Sequence, residues 1–383
     1  MLMKSFIESV IILKTHVFRV LTSFLFIFSG FIKVNDPKGF GYKLEEYFGV
    51  FGIDFLNPIA TGLAIFICVA EMALGIALLL GWQKRFTLWS LLLMMVFFTF
   101  LTFYSAWFNK VTDCGCFGDF LKLTPWQSFS KDVVLLVLIG WLFWRQHNLL
   151  PLGPSRVITP IFTVFSLLSL GIGVYTYQNL PLFDFLPYAV GKSIPEGMKV
   201  PDGAPQDVYR DTWYYKVNGT VQEFTTEQAP WDIEGAEYVD RKSVLVSKGY
   251  QPPVHDFSIS NLDGEDYTED FILADRCLLV TARVLSDGPA DAWTALRAMR
   301  STADSLGIRF AILTASTPEE IQSFETTYGS GWPLFITDGT TLKTMLRSSP
   351  GLMYLKKGVI MNKWPASSLP DPDFLHASDP SPF

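Results

Sequence analysis

Five long apolar runs occupy the first 180 residues of this 383-residue chain. A helix needs about 20 residues to cross the hydrocarbon core of a bilayer, because each residue rises about 1.5 Å along the axis. The first run lacks a small-residue cleavage site, which favours a retained anchor over a removed signal peptide. We therefore predict a multi-pass membrane protein with helices at 17–34, 57–80, 86–109, 130–147 and 157–178.

Beyond residue 250 the pattern of apolar positions changes, and it predicts short strands that alternate with amphipathic helices. The stretch 252–271 predicts a strand, an Asp-Gly turn and a second short strand. Strand–helix–strand–helix followed by paired strands predicts an α/β domain with helices covering a sheet. The later segments are RCLLVTARV (276–284), PADAWTALRAMRSTADSLG (289–307), RFAILTAS (309–316), TPEEIQSFETTYG (317–329), PLFITD (333–338) and PGLMYLKKGVIMNKW (350–364).

The region between these halves contains a linker and a small β segment. Residues 181–205 are dense in Pro and Gly, which is typical of a linker or an extended segment. Asn218-Gly219 lies between two alternating runs and predicts a hairpin, since both positions of a type I′ turn need a positive φ. Another strand is predicted at 237–249. The resulting domains are 1–150 (four-helix membrane domain), 151–180 (fifth transmembrane helix), 181–250 (linker and β segment) and 251–383 (α/β domain).

Composition narrows the class of partner. The formal net charge is -7, with 17% charged residues and 33 Phe. We find no cluster of Lys or Arg suited to contact phosphates, which argues against nucleic-acid binding. The lipid bilayer is the expected environment of the first half.

Orientation follows from the basic residues of the short loops, which favour the cytoplasm. The loop at 35–56 is mixed, since four acidic residues accompany its two lysines. With the N-terminus inside and five crossings, residues 181–383 lie outside the cytoplasm, together with the loop that carries Cys114 and Cys116. We expect a bacterial inner (cytoplasmic) membrane protein with a periplasmic C-terminal domain. The orienting residues are Lys4, Lys14, Arg19, Lys84, Arg85, Arg145 and Arg156.

Cys114 and Cys116 are separated by one glycine within KVTDCGCFGDFLKLTPW, residues 110–126. In an oxidising compartment thiols end as disulfides, unless a lowered pKa or a nearby partner keeps them exchanging. A Cys-Gly-Cys bridge closes a tight ring, and we expect its strain to make the bond easy to reduce. This favours a labile, exchanging pair.

Two other interpretations of the pair stay open. It can form a disulfide that only pins a turn at the membrane surface, with Phe117 at the interface and Gly118 at a positive φ. It can also bind a metal, but a structural zinc site needs about four ligands and His147 is predicted across the membrane. We predict no metal site. Cys68 and Cys277 lie in apolar segments, where we expect buried packing residues.

Glu71 lies inside the second predicted crossing, where a charged residue costs about 2.5 to 3.5 kcal/mol to insert. Such a residue needs a partner or a function. We predict an ion pair with Arg19, the nearest cation by depth, that orders the bundle; a proton or ligand site is the alternative. Lys33, at the outer end of the first run, is expected to reach the interface as an anchor.

Three segments carry a family resemblance: RVLTSFLFIFSGFIKVNDP (19–37), AEMALGIALLLG (70–81) and DCGCFG (113–118). They resemble the DoxX family of four-helix membrane proteins, and within it the group named for methylamine utilisation, MauE. Members of that group place Cys-x-Cys-Phe-Gly in the same exoplasmic loop. The resemblance implies a membrane redox or disulfide-maturation role with Cys114 and Cys116 as the active pair, and it does not name a substrate.

A second resemblance lies in the α/β domain. The order of its elements, its entry PPVHDFSISNLDGE (252–265) and Ser349-Pro350 before a hairpin resemble the TlpA-like branch of the thioredoxin fold. Thioredoxins carry Cys-x-x-Cys where a helix leaves the first buried strand. Here that position reads LSDGPADAW (285–293), without cysteine, and Cys277 lies too early to substitute. We therefore expect no thiol-disulfide exchange by this domain, and we predict a cis Pro350.

Two hypotheses for function follow. In the first, the protein is a membrane thiol-disulfide oxidoreductase or maturation factor that uses Cys114 and Cys116 on an exoplasmic client. In the second, it is a non-catalytic assembly or binding protein whose thioredoxin-like domain recruits a partner. A quinone acceptor would fit the first hypothesis, but no residue pattern marks a quinone site, and we assign no cofactor.

Overall fold

The computed structural model describes residues 2–111 and 115–376. Cys114 is therefore outside the described residues. The chain forms two compact units. One runs to Lys192 and resumes at Ser258, and the other spans Ser193–Phe257.

The first unit begins with a bundle of apolar helices. Stretches at 10–35, 54–80, 84–108, 125–144 and 155–178 are long and apolar enough to cross a membrane. The predicted membrane bundle with a fifth crossing is confirmed, with shifted helix ends. The helices are α1 (Leu2–Asn35), α2 (Pro37–Phe51), α3 (Ala60–Leu80), α4 (Lys84–Phe108), α5 (Pro125–Trp144) and α6 (Ser155–Gln178).

Glycines bring α1 and α3 close together. A Cβ atom at Gly30 would lie 2.9 Å from the backbone nitrogen of Met72, and one at Gly75 would lie 3.0 Å from that of Ile27. Small residues at a helix interface let two backbones approach within a membrane. This close packing fixes the depth of each α1 residue relative to α3.

Helix α2 occupies what the sequence suggested was a loop at 35–56. It begins at Pro37, after the N-cap Asp36, whose side chain accepts a hydrogen bond from the amide of Gly39 at 3.0 Å. It ends before Gly52, which has a φ of 68°. Proline is favoured at the first position because the amide hydrogen that it lacks would have no partner within the helix, and glycine is favoured after the last because it takes a left-handed φ without strain.

The second unit contains the short helix α7 (Ile194–Gly197) and a three-stranded sheet of β1 (Val208–Val217), β2 (Thr220–Thr225) and β3 (Glu237–Ser247). Its strand order is β2-β1-β3, and neighbouring strands are antiparallel. Asn218 and Gly219 have φ angles of 52° and 82° between β1 and β2. The predicted hairpin turn is therefore confirmed.

The α/β domain completes the first unit with a five-stranded mixed sheet of order β6-β5-β4-β7-β8. Strand β4 runs parallel to β5 and antiparallel to β7. All five residues of β4 are buried. The elements are α8 (Thr268–Ile272), β4 (Cys277–Thr281), α9 (Ala290–Ser305), β5 (Arg309–Thr314), α10 (Pro318–Tyr328), β6 (Leu334–Ile336), α11 (Gly339–Met345), β7 (Gly351–Lys356) and β8 (Val359–Pro365). The predicted α/β fold is confirmed.

The prediction of two strands within 252–271 is wrong. Ser260 forms only isolated bridges, to Asp266 and to Ile336. The side chain of Asn261 accepts hydrogen bonds from the amides of Asp263 at 3.0 Å and Glu265 at 2.8 Å. Such local side-chain bonds compete with strand pairing, because they occupy backbone donors.

Candidate functional site around Cys116

The segment 115–124 leads into α5 and is called the cysteine loop below. Gly115 has a φ of 66° and Gly118 a φ of 50°. The amide of Gly118 donates to the carbonyl of Gly115 at 3.0 Å. A Cβ atom at Gly115 would lie 3.2 Å from Cγ of Lys43. The turn around Cys116 therefore requires glycine on both sides, as only glycine takes left-handed angles without strain.

Cys116 borders a cavity of about 40 Å³ inside the bundle, called the polar cavity below. The hydroxyl of Ser29 donates to the carbonyl of Cys116 at 2.9 Å, which ties the cysteine loop to α1. A cavity of this size holds about three water molecules. Its charged lining residues are Lys33, Glu71, Lys131 and Asp132.

Lys33 and Glu71 form an ion pair at the polar cavity. The Nζ atom of Lys33 lies 2.5 Å from Oε2 of Glu71, and the two side chains are 4% and 6% exposed. The ammonium also lies 5.4 Å from the ring centroid of Phe40 and 5.3 Å from that of Phe98. Lys33 is therefore a buried partner of Glu71 and not the interfacial anchor that the sequence suggested.

The predicted ion pair between Arg19 and Glu71 is wrong. Arg19 instead donates to three backbone carbonyls, those of Leu78 at 2.9 Å, Leu79 at 2.6 Å and Leu150 at 2.8 Å. Leu78 lies seven residues after Glu71 on α3, which is about 11 Å along the helix axis. Depth in the bundle separates the two side chains, and Arg19 satisfies carbonyls at the C-terminal end of α3.

A second charged pair lies on α5. Asp132 is buried and accepts a hydrogen bond from the hydroxyl of Thr102 on α4 at 3.0 Å. The ammonium of its neighbour Lys131 binds its other carboxylate oxygen. Lys131 also lies 5.5 Å from the ring centroid of Phe117, the residue after Cys116. The cysteine loop therefore lies against charged groups from three helices.

This arrangement suits cysteine chemistry. Lys33 and Cys116 line the same cavity. A nearby cation favours the thiolate, which is the nucleophile in disulfide exchange.

An apolar cavity that binds benzene is about 150 Å³, so the polar cavity has room for water molecules and not for an aromatic ring. Among residues 2–111 and 115–376, no group of three or more His, Cys, Asp or Glu side chains is arranged to hold a metal.

The α/β domain reaches the cysteine loop through Arg347. Its Nη2 atom lies 2.9 Å from Oδ2 of Asp119, and its Nε atom lies 2.9 Å from Oδ2 of Asp36. Burial alone would lower the pKa of the Arg347 guanidinium, but the two carboxylates outweigh burial and raise it. The cysteine loop and the α/β domain therefore lie on the same side of the bundle. Further ionic contacts of this domain join Lys343 to Glu45 at 3.5 Å and Lys363 to Asp184 at 2.7 Å.

The segment 285–293, where the resemblance to thioredoxins would place their cysteines, is closely packed at Gly288. A Cβ atom at Gly288 would lie 2.5 Å from Nε1 of Trp293 and 2.7 Å from Cδ of Pro350. The peptide bond between Ser349 and Pro350 is cis. Cys277 is fully buried in β4, and burial raises the pKa of its thiol. No cysteine in the chain lies within 285–293.

Sequence reasoning missed several residues of this site. Lys131 and Asp132 lie in the fourth apolar run, where a buried carboxylate gives the same signal as Glu71. The depth of Lys33 in an antiparallel helix pair would have suggested its contact with Glu71. Nothing in the local sequence of Arg347 or Asp119 indicates their pairing, because the two residues are 228 positions apart.

Comparison with known proteins finds a family that resembles the membrane half. Residues 11–145 match the profile of the family described as "Methylamine utilisation protein MauE". Residues 209–248 match a domain of unknown function, DUF8463. The chain is therefore a membrane protein that joins a bundle of apolar helices, similar over residues 11–145 to the MauE family, to an α/β domain with a five-stranded mixed sheet.

Individual relatives match parts of the chain. Protein TlpB from Flavobacterium psychrophilum is 30% identical over 134 residues, which are 34% of this chain and 36% of TlpB. The match thus spans about a third of that relative. A crystal structure of a thioredoxin-like protein from Aeropyrum pernix has a TM-score of 0.26 at 19% identity and covers 32% of this chain and 86% of its own. A solution structure of a candidate protein disulfide isomerase from Bacteroides thetaiotaomicron has a TM-score of 0.24 at 14% identity, with coverage of 30% and 77%.

Proposed function

We propose that the protein exchanges thiols and disulfides with cysteine pairs of client proteins, through Cys114 and Cys116. The proposed location is the periplasmic face of a bacterial inner membrane, with the N-terminus in the cytoplasm. The α/β domain performs no redox chemistry in this proposal and supports the cysteine loop.

The observation that carries the proposal is that Cys116 lines the same cavity as two lysines, of which Lys33 is buried and Lys131 is partly exposed. Lys33 and Lys131 line the polar cavity together with Cys116. A structural disulfide has no need of buried charge at its side, and buried charge in a membrane is costly. An exchanging pair does need it, because the attacking and leaving sulfurs carry negative charge.

The exchange is balanced without another cofactor. A thiolate of the client attacks one sulfur of the Cys114–Cys116 disulfide, and the other sulfur leaves as a thiolate that takes up a proton. The second client thiolate then attacks the client sulfur of the mixed disulfide, and the protein sulfur leaves as a thiolate that takes up the second proton. The client gains one disulfide, and two electrons and two protons pass to Cys114 and Cys116. The reverse sequence reduces a client, and the relative reduction potentials set the direction.

Equilibration with glutathione tests whether the pair exchanges. The full-length protein in lipid nanodiscs, with Cys68→Ala and Cys277→Ala, is incubated in glutathione buffers from about -120 to -300 mV, the range of known exchange proteins. After an acid quench, a maleimide mass tag counts thiols. We expect zero tags at the oxidising end, two at the reducing end and a single two-electron transition between them.

A tag count that stays constant across the series contradicts the proposal, whether the pair stays oxidised or reduced. Cys114→Ser and Cys116→Ser variants provide the matched controls. Each retains one thiol, which forms a mixed disulfide with glutathione and reports its accessibility.

A second candidate function is a non-catalytic, membrane-anchored assembly or binding protein. The exposed sheet of the second unit favours it, since every residue of β3 is exposed, including Tyr238, Val244 and Leu245. In that case the cysteines form only a turn staple, and the Cys114→Ser, Cys116→Ser double variant keeps full function in the cell.

A further inference from the structure

Arg347 joins three parts of the first unit. Its guanidinium contacts Asp36 at the start of α2 and Asp119 in the cysteine loop, while its backbone belongs to the segment between α11 and β7. The side chain is 6% exposed. An arginine fits this role because its planar group presents several donors in a fixed geometry, unlike the ammonium of lysine.

The segment that carries Arg347 is itself held by hydrogen bonds. The hydroxyl of Ser348 donates to the carbonyl of Pro350 at 2.7 Å and accepts from the amide of Ala366 at 3.0 Å. The ammonium of Lys38, on α2, donates to the carbonyl of Arg347 at 2.7 Å. The guanidinium therefore extends from a fixed point on the α/β domain.

Asp119 transmits this contact to Cys116 through a short turn. Residues 118–120 form one turn of 3-10 helix, and the amide of Phe120 donates to the carbonyl of Phe117 at 3.2 Å. Ser29 holds the carbonyl of Cys116 from the side of the bundle. The cysteine loop is thus held by α1 on one side and by Arg347 on the other.

Charge gives Arg347 a second effect. Asp36 and Asp119 line a small cavity of about 30 Å³ together with Lys33 and Gly115. Gly115 directly precedes Cys116 in the chain. Loss of the guanidinium would remove one positive charge from beside these two carboxylates. Their negative charge would disfavour a thiolate in the cysteine loop, and so would destabilise the reduced pair.

We infer that Arg347 is a positioning residue for the Cys114–Cys116 pair: it holds Asp119 and offsets two carboxylates, and thereby stabilises the reduced form. The inference rests on the proposed function. A reduced form that is stabilised makes the pair a stronger oxidant. Arg347→Gln is therefore expected to shift the equilibrium with glutathione about tenfold toward the disulfide, which corresponds to about 30 mV for a two-electron couple.

The test is the glutathione titration on the full-length protein, with Lys363→Gln as the matched control. Lys363 is 4% exposed and pairs with Asp184 at 2.7 Å, so its loss removes an equally buried ion pair of the same domain whose carboxylate is not in the cysteine loop. We expect an unchanged equilibrium constant in Lys363→Gln. In the double variant Arg347→Gln, Asp119→Asn we expect part of the shift to be recovered, because one carboxylate charge is removed.

Arg347→Lys provides a variant that keeps the charge if Arg347→Gln does not fold, and we expect from it a smaller shift in the same direction. An unchanged equilibrium constant in the arginine variants, or an equal shift in Lys363→Gln, overturns the inference. If the wild-type pair does not titrate at all, the proposed function fails, which is a different result from a titration that ignores Arg347.

Discussion

Lys33 and Glu71 face each other across α1 and α3, with 2.5 Å between Nζ and Oε2 in a buried position. Removing one partner of a buried ion pair leaves an uncompensated charge and costs about 3 to 5 kcal/mol, whereas replacing both by apolar residues is often neutral. If the ion pair served only stability, two apolar residues could therefore take its place without loss. Its position beside Cys116 suggests a function instead.

Glu71→Leu is expected to lower the free energy of unfolding by about 3 kcal/mol, because it leaves the Lys33 ammonium buried without a partner. Glu71→Gln should cost less, since the amide still accepts a hydrogen bond. The double variant Lys33→Met, Glu71→Leu should regain most of the stability and still lose exchange activity.

Denaturant unfolding in detergent and a thiol exchange assay measure these variants. The matched control is Arg19→Leu, which should destabilise the protein without coupling to Glu71, since the Arg19 guanidinium donates its hydrogen bonds to the backbone carbonyls of Leu78, Leu79 and Leu150. Coupling between Arg19 and Glu71 in a double-mutant cycle would contradict this geometry.

Topology can be tested with trypsin on intact spheroplasts. Lys199 lies in an exposed stretch after α7, whereas the backbone of Lys192, the other trypsin site within 181–205, is held by hydrogen bonds to Ala189 and Ile360. We therefore expect the first cut near Lys199 and not throughout 181–205. Protection of this site until the membrane is breached would place the C-terminal domain in the cytoplasm and reverse the orientation.

Gly288→Ala is expected to destabilise the α/β domain by about 1 to 3 kcal/mol, since the added methyl group would overlap Trp293 and Pro350. Gly339→Ala, in the same domain, is the matched control, because its nearest neighbour would be the Cβ atom of Ala315 at 3.5 Å. Thermal unfolding followed by tryptophan fluorescence compares the two variants. Equal stabilities would show that the thioredoxin cysteine position is not closely packed.

Cys277 is expected to resist alkylation in the native protein, because burial raises the pKa of its thiol and excludes the reagent. Iodoacetamide labelling of a variant that retains only this cysteine measures its reactivity. Labelling should become fast only in denaturant. Rapid native labelling would mean that β4 opens, and Cys277 would then become a possible exchange partner.

The membrane helices, the hairpin at Asn218-Gly219 and the alternation of strands and helices after residue 275 were predictable from sequence. Each depends on local patterns, namely apolar length, a turn dipeptide and periodicity. The pairing of charges inside the bundle was not predictable from sequence, because it depends on the axial position of α1 relative to α3. Close contacts at Gly30 and Gly75 set that register, so Arg19 lies level with Leu78 and not with Glu71.

The contact between Arg347 and Asp119 is even harder to predict from the sequence. It depends on how a domain that begins after residue 257 packs against the cysteine loop, and no periodicity records such packing. In the sequence, the acidic residues of the 35–56 segment stand out only as an exception to the orientation rule, and nothing indicates their partners. Asp36 and Glu45 in fact bind Arg347 and Lys343 of the α/β domain.

The most direct test of the central claim is disulfide transfer from the oxidised full-length protein to a synthetic peptide that contains two cysteines. Mass spectrometry follows the peptide disulfide in single turnover, with Cys68→Ala and Cys277→Ala present throughout. We predict one peptide disulfide per protein, and its complete loss in Cys114→Ser, in Cys116→Ser and equally in the double variant, because exchange needs both sulfurs. Two results would contradict the account. One is peptide oxidation that persists in the double variant, and the other is a failure of the protein that retains Cys114 and Cys116 to oxidise the peptide.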